Sequence, residues 1–107
     1  MTVIDIIRKP NSFTIVAAGH ANAKRNEDGR DLVCCAIATL MCTLANSCAQ
    51  IRGAATMYHT QSGFAELTVT NVMTAPDEVK PRLQMLIDGF RVLEQQYPQN
   101  IRMTIED

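Results

Sequence analysis

DLVCCAIATLMCTLANSCA, residues 31–49, is the stretch that decides the fold. From Leu32 onward it is apolar almost all round, which predicts one helix over roughly Leu32–Ala49, with Asp31 as its N-cap. A helix of this kind is covered on one side by a sheet and on another by a helix or a second subunit. We therefore expect a layered domain. The most apolar part, Leu32–Ala45, is expected to be too short to span a bilayer.

The segments on either side of this helix have the patterns of β-hairpins. Residues 2–19 turn at KPNS, and the second arm alternates apolar and polar side chains. Residues 53–70 turn at Gln61-Ser62-Gly63, and their second arm alternates in the same way, which predicts one solvent-facing side.

A second helix and a last strand follow. Thr74 and Asp77 have a capping-like spacing, and Pro81, which lacks an N–H, predicts that the regular helix begins only two or three residues before it. An apolar stripe then recurs at three- and four-residue steps until Pro98, and residues 100–106 alternate as a strand. The order ββαββαβ over residues 1–107 predicts a single two-layer α+β domain. Its sheet is mostly antiparallel, with two main helices packed on one face.

The composition narrows the function classes. The 107 residues carry ten basic and eleven acidic side chains, a balance without the basic excess expected for contact with nucleic acid or an anionic membrane. Asp5 interrupts the opening apolar run, so no signal peptide is predicted. The four cysteines lie between positions 34 and 48, a crowding typical of reduced thiols rather than a disulfide framework, so a cytoplasmic location is expected.

Cys34 has the position of a candidate nucleophile. In the first turn after an Asp31 cap it lies near the positive end of the helix dipole, a setting that favours thiolates, and helix-start N–H groups are candidates for stabilising an oxyanion. The alternative is a small buried core residue, since free cysteine is among the most buried types. Cys35 points roughly 100° away and is expected to be core or a bystander. Cys42 and Cys48 lie deeper along the helix.

His20 is the matching candidate base. It follows Gly19 at a predicted strand end, where a side chain can reach into a loop, although a plain surface histidine has the same pattern. His59, the other histidine, is expected on a strand surface. There is no Cys-x-x-Cys, and adjacent cysteines diverge on a helix, so no metal site is predicted. Without a Gly-rich phosphate loop or a dinucleotide fingerprint, no cofactor is expected.

Three segments resemble the ribosomal-processing cysteine protease family. GHA (19–21) and GRDLVCCAIATL (29–40) are similar to its pattern Gly-His-Ala, loop, Gly-x-Asp-x-Val-Cys-Ala-Ala, and LIDGFRVLEQQYPQNIRM (86–103) resembles its second helix and last strand. The resemblance implies an α+β homodimer that removes a short N-terminal extension from large-subunit ribosomal protein twenty-seven, after a phenylalanine-containing motif, for ribosome assembly. The implied partner is that precursor protein, not RNA.

The resemblance also implies roles for individual residues. Cys34 is the nucleophile and His20 the general base. Gly19 belongs to the turn that presents His20, and Asp31 caps the helix and helps to orient the pair. Gly29 lets the loop fold over the substrate.

The chain departs from the family pattern in the loop before Cys34, which is longer, and in having Cys35 for an alanine and Ala38 for a serine. The loop Ala21–Gly29 is a candidate lid, since its polar composition offers little burial. An apolar substrate pocket is expected, and Phe13, Phe64 and Met57 are its candidate residues. Two alternative functions remain, a non-catalytic ribosome-associated binding module and a thiol redox sensor that uses Cys34 and Cys35.

Overall fold

The protein forms one five-stranded mixed sheet with two helices. The structure, a computed structural model, describes residues 1–21 and 31–107. A short 3-10 turn, Val72–Thr74, precedes the second helix. The elements in chain order are β1 (Thr2–Lys9), β2 (Ser12–Ala18), α1 (Leu32–Ala49), β3 (Ala55–Gln61), β4 (Phe64–Thr70), α2 (Pro76–Gln96) and β5 (Ile101–Glu106).

The strand order in the sheet is β3-β4-β2-β1-β5. Three of the four pairings are antiparallel, and only β5 runs parallel to its neighbour β1. Both predicted hairpins are present, and the predicted ββαββαβ order and mostly antiparallel sheet are confirmed.

The core lies between the sheet and the two helices. Alternate strand residues such as Ile4, Ile15 and Leu67 are fully buried, while their neighbours Asp5 and Glu66 are exposed, as the alternation predicted. The helices contribute one buried stripe each. In α1 the stripe comprises Val33, Ile37, Met41, Leu44, Ala45 and Cys48, and in α2 it comprises Val79, Leu83, Leu86, Ile87 and Phe90.

The start of α2 differs from the prediction. The helix begins at Pro76, five residues before Pro81, and its N-cap is Ala75 without a side-chain hydrogen bond, so Thr74 does not cap it. Proline at position 81 has no N–H to bond the carbonyl of Asp77. Because Asp77 is exposed, solvent can satisfy that carbonyl, and the helix tolerates the missing bond.

The helix α1 has the predicted bounds, Leu32–Ala49, and is therefore longer than its most apolar part, Leu32–Ala45. At 18 residues, the helix is long and apolar enough to cross a membrane by those two criteria alone, whereas the shorter apolar segment was expected not to be. The core helix of a domain passes the same test. The buried stripe of α1 packs against the sheet, while Leu32 and Cys35 on its other side are exposed.

The topology brings several chain segments to one end of the sheet. β2 ends there, α1 runs back from it, and the antiparallel and parallel pairings put the starts of β1, β4 and β5 at the same end. Residues far apart in sequence therefore meet beside the N-terminus of α1.

Candidate active site

A cleft of about 290 Å³ opens at this end of the sheet. Both predicted site residues, His20 after β2 and Cys34 in the first turn of α1, line it. Its walls also include side chains and backbone from four strands. The lining residues are Thr2, Ala17, Gly19, His20, Cys34, Ile37, Ala38, Tyr58, Thr60, Gln61, Gly63, Phe64 and Ala65.

Two glycines shape the backbone around His20. Gly19 has φ +94°, and a Cβ there would lie 2.5 Å from the Met1 carbonyl oxygen, so the turn predicted at Gly19 requires glycine. Its N–H donates to the Gly63 carbonyl at 2.8 Å, which ties the end of β2 to the β3–β4 turn. Gly63 has φ +71°, and a Cβ on it would lie 2.9 Å from His20 Nε2. The imidazole therefore packs directly against the Gly63 backbone.

Asp31 is the N-cap of α1, as predicted. It is extended (φ −74°, ψ 115°), and its Oδ1 accepts from Val33 N at 3.0 Å and Cys34 N at 3.1 Å. The helix start was expected to offer such N–H groups to an oxyanion, and in the free protein these two donate to Asp31 instead. The Asp31 carboxylate already uses them, so the cap instead fixes the backbone of Cys34.

We expect Asp31→Ala to lower the free energy of unfolding by about 0.5–2 kcal/mol, because two N–H groups of the first turn lose their acceptor. Peptidase activity should fall as well, since one of these groups belongs to Cys34. Asp31→Asn should retain most of the stability, because asparagine caps about as well as aspartate. Urea unfolding of the three proteins measures the effect, and equal losses for Ala and Asn would contradict the capping role.

The backbone of residues 19–21 is held by groups from both ends of the chain. The hydroxyl of Thr2, a buried side chain, donates to the Gly19 carbonyl at 3.0 Å, and the Met1 amino group donates to the His20 carbonyl at 2.7 Å. Asn100 Nδ2 donates to the Ala21 carbonyl at 2.9 Å. All three consecutive carbonyls therefore have a donor.

The sulfur of Cys34 contacts this same segment. The N–H of Ala21 donates to Cys34 Sγ at 3.3 Å, and Ala21 is only 1% exposed. The residue after the predicted base thus hydrogen-bonds the predicted nucleophile. Neither Ala21 nor Asn100 carries a pattern in the sequence that predicts this role.

The remaining cleft walls are largely apolar. Tyr58, on the inner face of the edge strand β3, and Phe64, at the start of β4, supply the aromatic surface. Burial, and then the hydrogen bond with the Cys42 thiol, raise the pKa of the Tyr58 hydroxyl, which stays neutral. Of the three candidate pocket residues, only Phe64 lines the cleft, because Phe13 is buried in the core and Met57 is 71% exposed.

The other three cysteines lie outside the cleft. Cys35 is exposed beside a shallow groove between α1 and α2, so the expectation that it is a core residue is wrong and its description as a bystander fits. Cys42 is exposed against Tyr58. Cys48 is buried, and this burial raises the pKa of its thiol although Arg82 opposes the shift.

All four cysteines are free thiols. Since Cys34 and Cys35 face different grooves, the geometry does not favour them as a redox pair.

His59 is exposed on the outer side of β3, as predicted, and its ring lies 6.3 Å from that of Phe64. Gly29 and the rest of the proposed lid from residue 22 onward lie outside the described residues, so their predicted roles stay predictions. Within residues 1–21 and 31–107, no three His, Cys, Asp or Glu side chains are grouped so as to hold a metal ion.

Comparison with known protein families shows which class of protein carries this site. The sequence profile of a family described as cysteine protease Prp matches residues 1–102. The chain belongs to the Prp family. It is a cysteine protease, and the family resemblance seen in the sequence is confirmed. No curated protein sequence matches the chain.

Solved structures share the fold. The ribosomal processing protease Prp of Staphylococcus aureus with a covalently linked product peptide is 21% identical, with a TM-score of 0.77 and coverage of 99% of this chain and 100% of that one. The same S. aureus protease with a substrate peptide is 20% identical, with a TM-score of 0.74 and the same coverage. A protein of Streptococcus mutans is 19% identical, with a TM-score of 0.72 and coverage of 99% and 94%. At these identities the likeness shows the common fold of the Prp family.

Proposed function

We propose that this Prp-family protease removes a short N-terminal extension from large-subunit ribosomal protein twenty-seven during ribosome assembly in a bacterial cytoplasm. The observation that carries the proposal is the single cleft that contains both His20 and Cys34, with Cys34 at the capped start of α1. The solved S. aureus relative, described as a ribosomal processing protease, supports the choice of substrate.

The proposed reaction is acyl transfer through Cys34. His20 takes the thiol proton, the sulfur bonds to the carbonyl carbon before the scissile bond, and the carbonyl electron pair moves to oxygen. As the carbonyl re-forms, the C–N bond breaks and the amine leaves with the proton from His20. Water, deprotonated by His20, then attacks the thioester, and the Cys34 sulfur leaves and regains a proton.

The walls of the cleft support a substrate with an aromatic residue. Tyr58, Phe64, Ile37 and Ala65 present mostly apolar surface beside Cys34. Such a pocket favours a phenylalanine side chain, whose aromatic pairing with Tyr58 or Phe64 adds to the gain from burial.

A synthetic peptide tests the proposal. It carries the N-terminal extension of ribosomal protein twenty-seven from the same genome, and the expected result is a single cut after the phenylalanine-containing motif. A peptide with that phenylalanine replaced by alanine is the matched control and should be cut far more slowly. Binding of the peptide without cleavage would favour the alternative function of a non-catalytic ribosome-associated binding module. Disulfide formation as the sole activity would favour the alternative function of a thiol redox sensor.

We also infer that two copies pair, as the family resemblance implies. Leu32 at the start of α1 is 41% exposed and Val92 in α2 is 50% exposed, and both line the shallow groove between the two helices. Burying such side chains against a second copy removes apolar surface from water. Light scattering should give twice the 11.8 kDa chain mass, and Val92→Glu should reduce it to the monomer. A monomeric wild-type protein at all concentrations would contradict the pairing.

A further inference from the structure

We propose that the backbone N–H of Ala21 is the oxyanion donor of this protease and that Asn100 is the residue that positions it. The inference rests on the proposed function, in which Cys34 is the nucleophile. It adds a catalytic group from the backbone and a positioning residue from the far end of the chain.

The Ala21 N–H lies next to the sulfur that reacts. It donates to Cys34 Sγ at 3.3 Å in the free protein. When the sulfur bonds to a carbonyl carbon, the oxygen that takes up the negative charge is only two bonds from that sulfur. A donor already in contact with the sulfur therefore lies within reach of this oxygen.

The N–H groups at the start of α1, the alternative oxyanion donors, already have an acceptor in the free protein. The N–H groups of Val33 and Cys34 at the start of α1 both donate to Asp31 Oδ1. An oxyanion would have to displace a buried carboxylate to use them. The Ala21 N–H faces no such competition, because its acceptor is the reacting sulfur itself.

The Ala21 peptide group is held in place by hydrogen bonds and is shielded from solvent. Asn100 Nδ2 holds its carbonyl at 2.9 Å, and the Asn100 backbone carbonyl accepts from Thr2 N at 2.9 Å. Asn100 therefore joins the segment after His20 to the start of β1. Ala21 is 1% exposed, so its N–H acts where water does not screen the charge. Because this donor is already oriented, it needs no rearrangement when the negative charge forms. It therefore stabilises the transition state more than it stabilises the bound substrate.

Substitution of Asn100 tests the positioning role. In Asn100→Ala the Ala21 carbonyl loses its donor, and in Asn100→Asp a carboxylate of the same size faces that carbonyl and cannot donate. We expect kcat for the peptide to fall at least about tenfold in both, with KM within about twofold, since removing an oxyanion donor outright costs about 10²–10³ in kcat. Gln99→Ala, at an exposed neighbouring position, is the matched control and should leave kcat unchanged.

Alkylation by iodoacetamide separates this role from a merely structural one. That reaction forms a bond to the Cys34 sulfur without an oxyanion, so its rate should stay within about threefold of wild type in both Asn100 variants. A parallel fall in alkylation and kcat, or unchanged kcat, would overturn the proposal. Activity that persists in Cys34→Ala would instead overturn the proposed function.

A backbone variant tests the role of the Ala21 N–H directly. Ala21→lactic acid, introduced by chemical ligation of the full chain, replaces the N–H with an ester oxygen and keeps the side chain. We expect kcat to fall about 10²–10³-fold while circular dichroism stays that of the wild type. Full activity of the ester protein would overturn the role of Ala21.

Discussion

Cys34→Ala is expected to abolish cleavage of the extension peptide, with a loss of at least about a thousandfold in kcat. In the proposed reaction the acyl-enzyme forms on the Cys34 sulfur, so removing that sulfur prevents the first step. Cys34 is half-buried in the cleft and is not among the fully buried side chains, so the variant should remain folded. Rates of peptide cleavage measured by mass spectrometry, together with circular dichroism of the variant, check this result.

Cys35→Ala is the matched control. It removes the adjacent thiol, which is exposed on another side of α1, and should retain wild-type kcat. Loss of activity in Cys35→Ala with activity kept in Cys34→Ala would move the nucleophile by one position. The contrast works because consecutive helical residues point about 100° apart.

His20→Ala is expected to lower kcat by about 10²–10⁴, the usual contribution of a general acid–base group. The imidazole lines the cleft at the end of β2 and packs on the Gly63 backbone. In the proposed reaction, its removal takes away both the proton acceptor for Cys34 and the proton donor for the leaving amine. Steady-state kinetics with the same peptide measures the loss.

The second histidine supplies the control for this prediction. His59 is exposed on the outer side of β3, so His59→Ala should leave kcat within about twofold of wild type. If His20→Ala kept near-normal turnover, or if His59→Ala lost as much, His20 would not be the base.

Much of the fold could be predicted from local patterns. In β2 and β4 the alternation of apolar and polar side chains predicts which residues are buried. The nearly continuous apolar run of α1 predicts its helix in the same way, because each of these patterns lies within one segment. The Asp31 cap was predictable for the same reason, because its partners Val33 and Cys34 are two and three residues away. The start of α2 was not, since whether solvent satisfies the Asp77 carbonyl depends on exposure in the folded domain.

The long-range contacts that hold the site residues in place could not be predicted from the sequence. Asn100 contacts the Ala21 carbonyl across 79 positions, and this contact exists because β5 pairs with β1 in one particular parallel register. No local pattern encodes that register. Gly63 was predictable as a turn residue, but its packing against His20 depends on the β2–β4 pairing. The choice of Cys34 over Cys35 followed from helix geometry, whereas its pairing with His20 rested on the family resemblance.

Trapping the acyl-enzyme tests the central claim most directly. The wild-type protein is mixed with the extension peptide and quenched in acid within the first turnover, and peptide mapping by mass spectrometry then locates the acyl group. We predict that the N-terminal fragment of the substrate is attached to Cys34 as a thioester. Attachment to Cys35 or Cys42, or rapid cleavage with no acylated cysteine, would contradict this account.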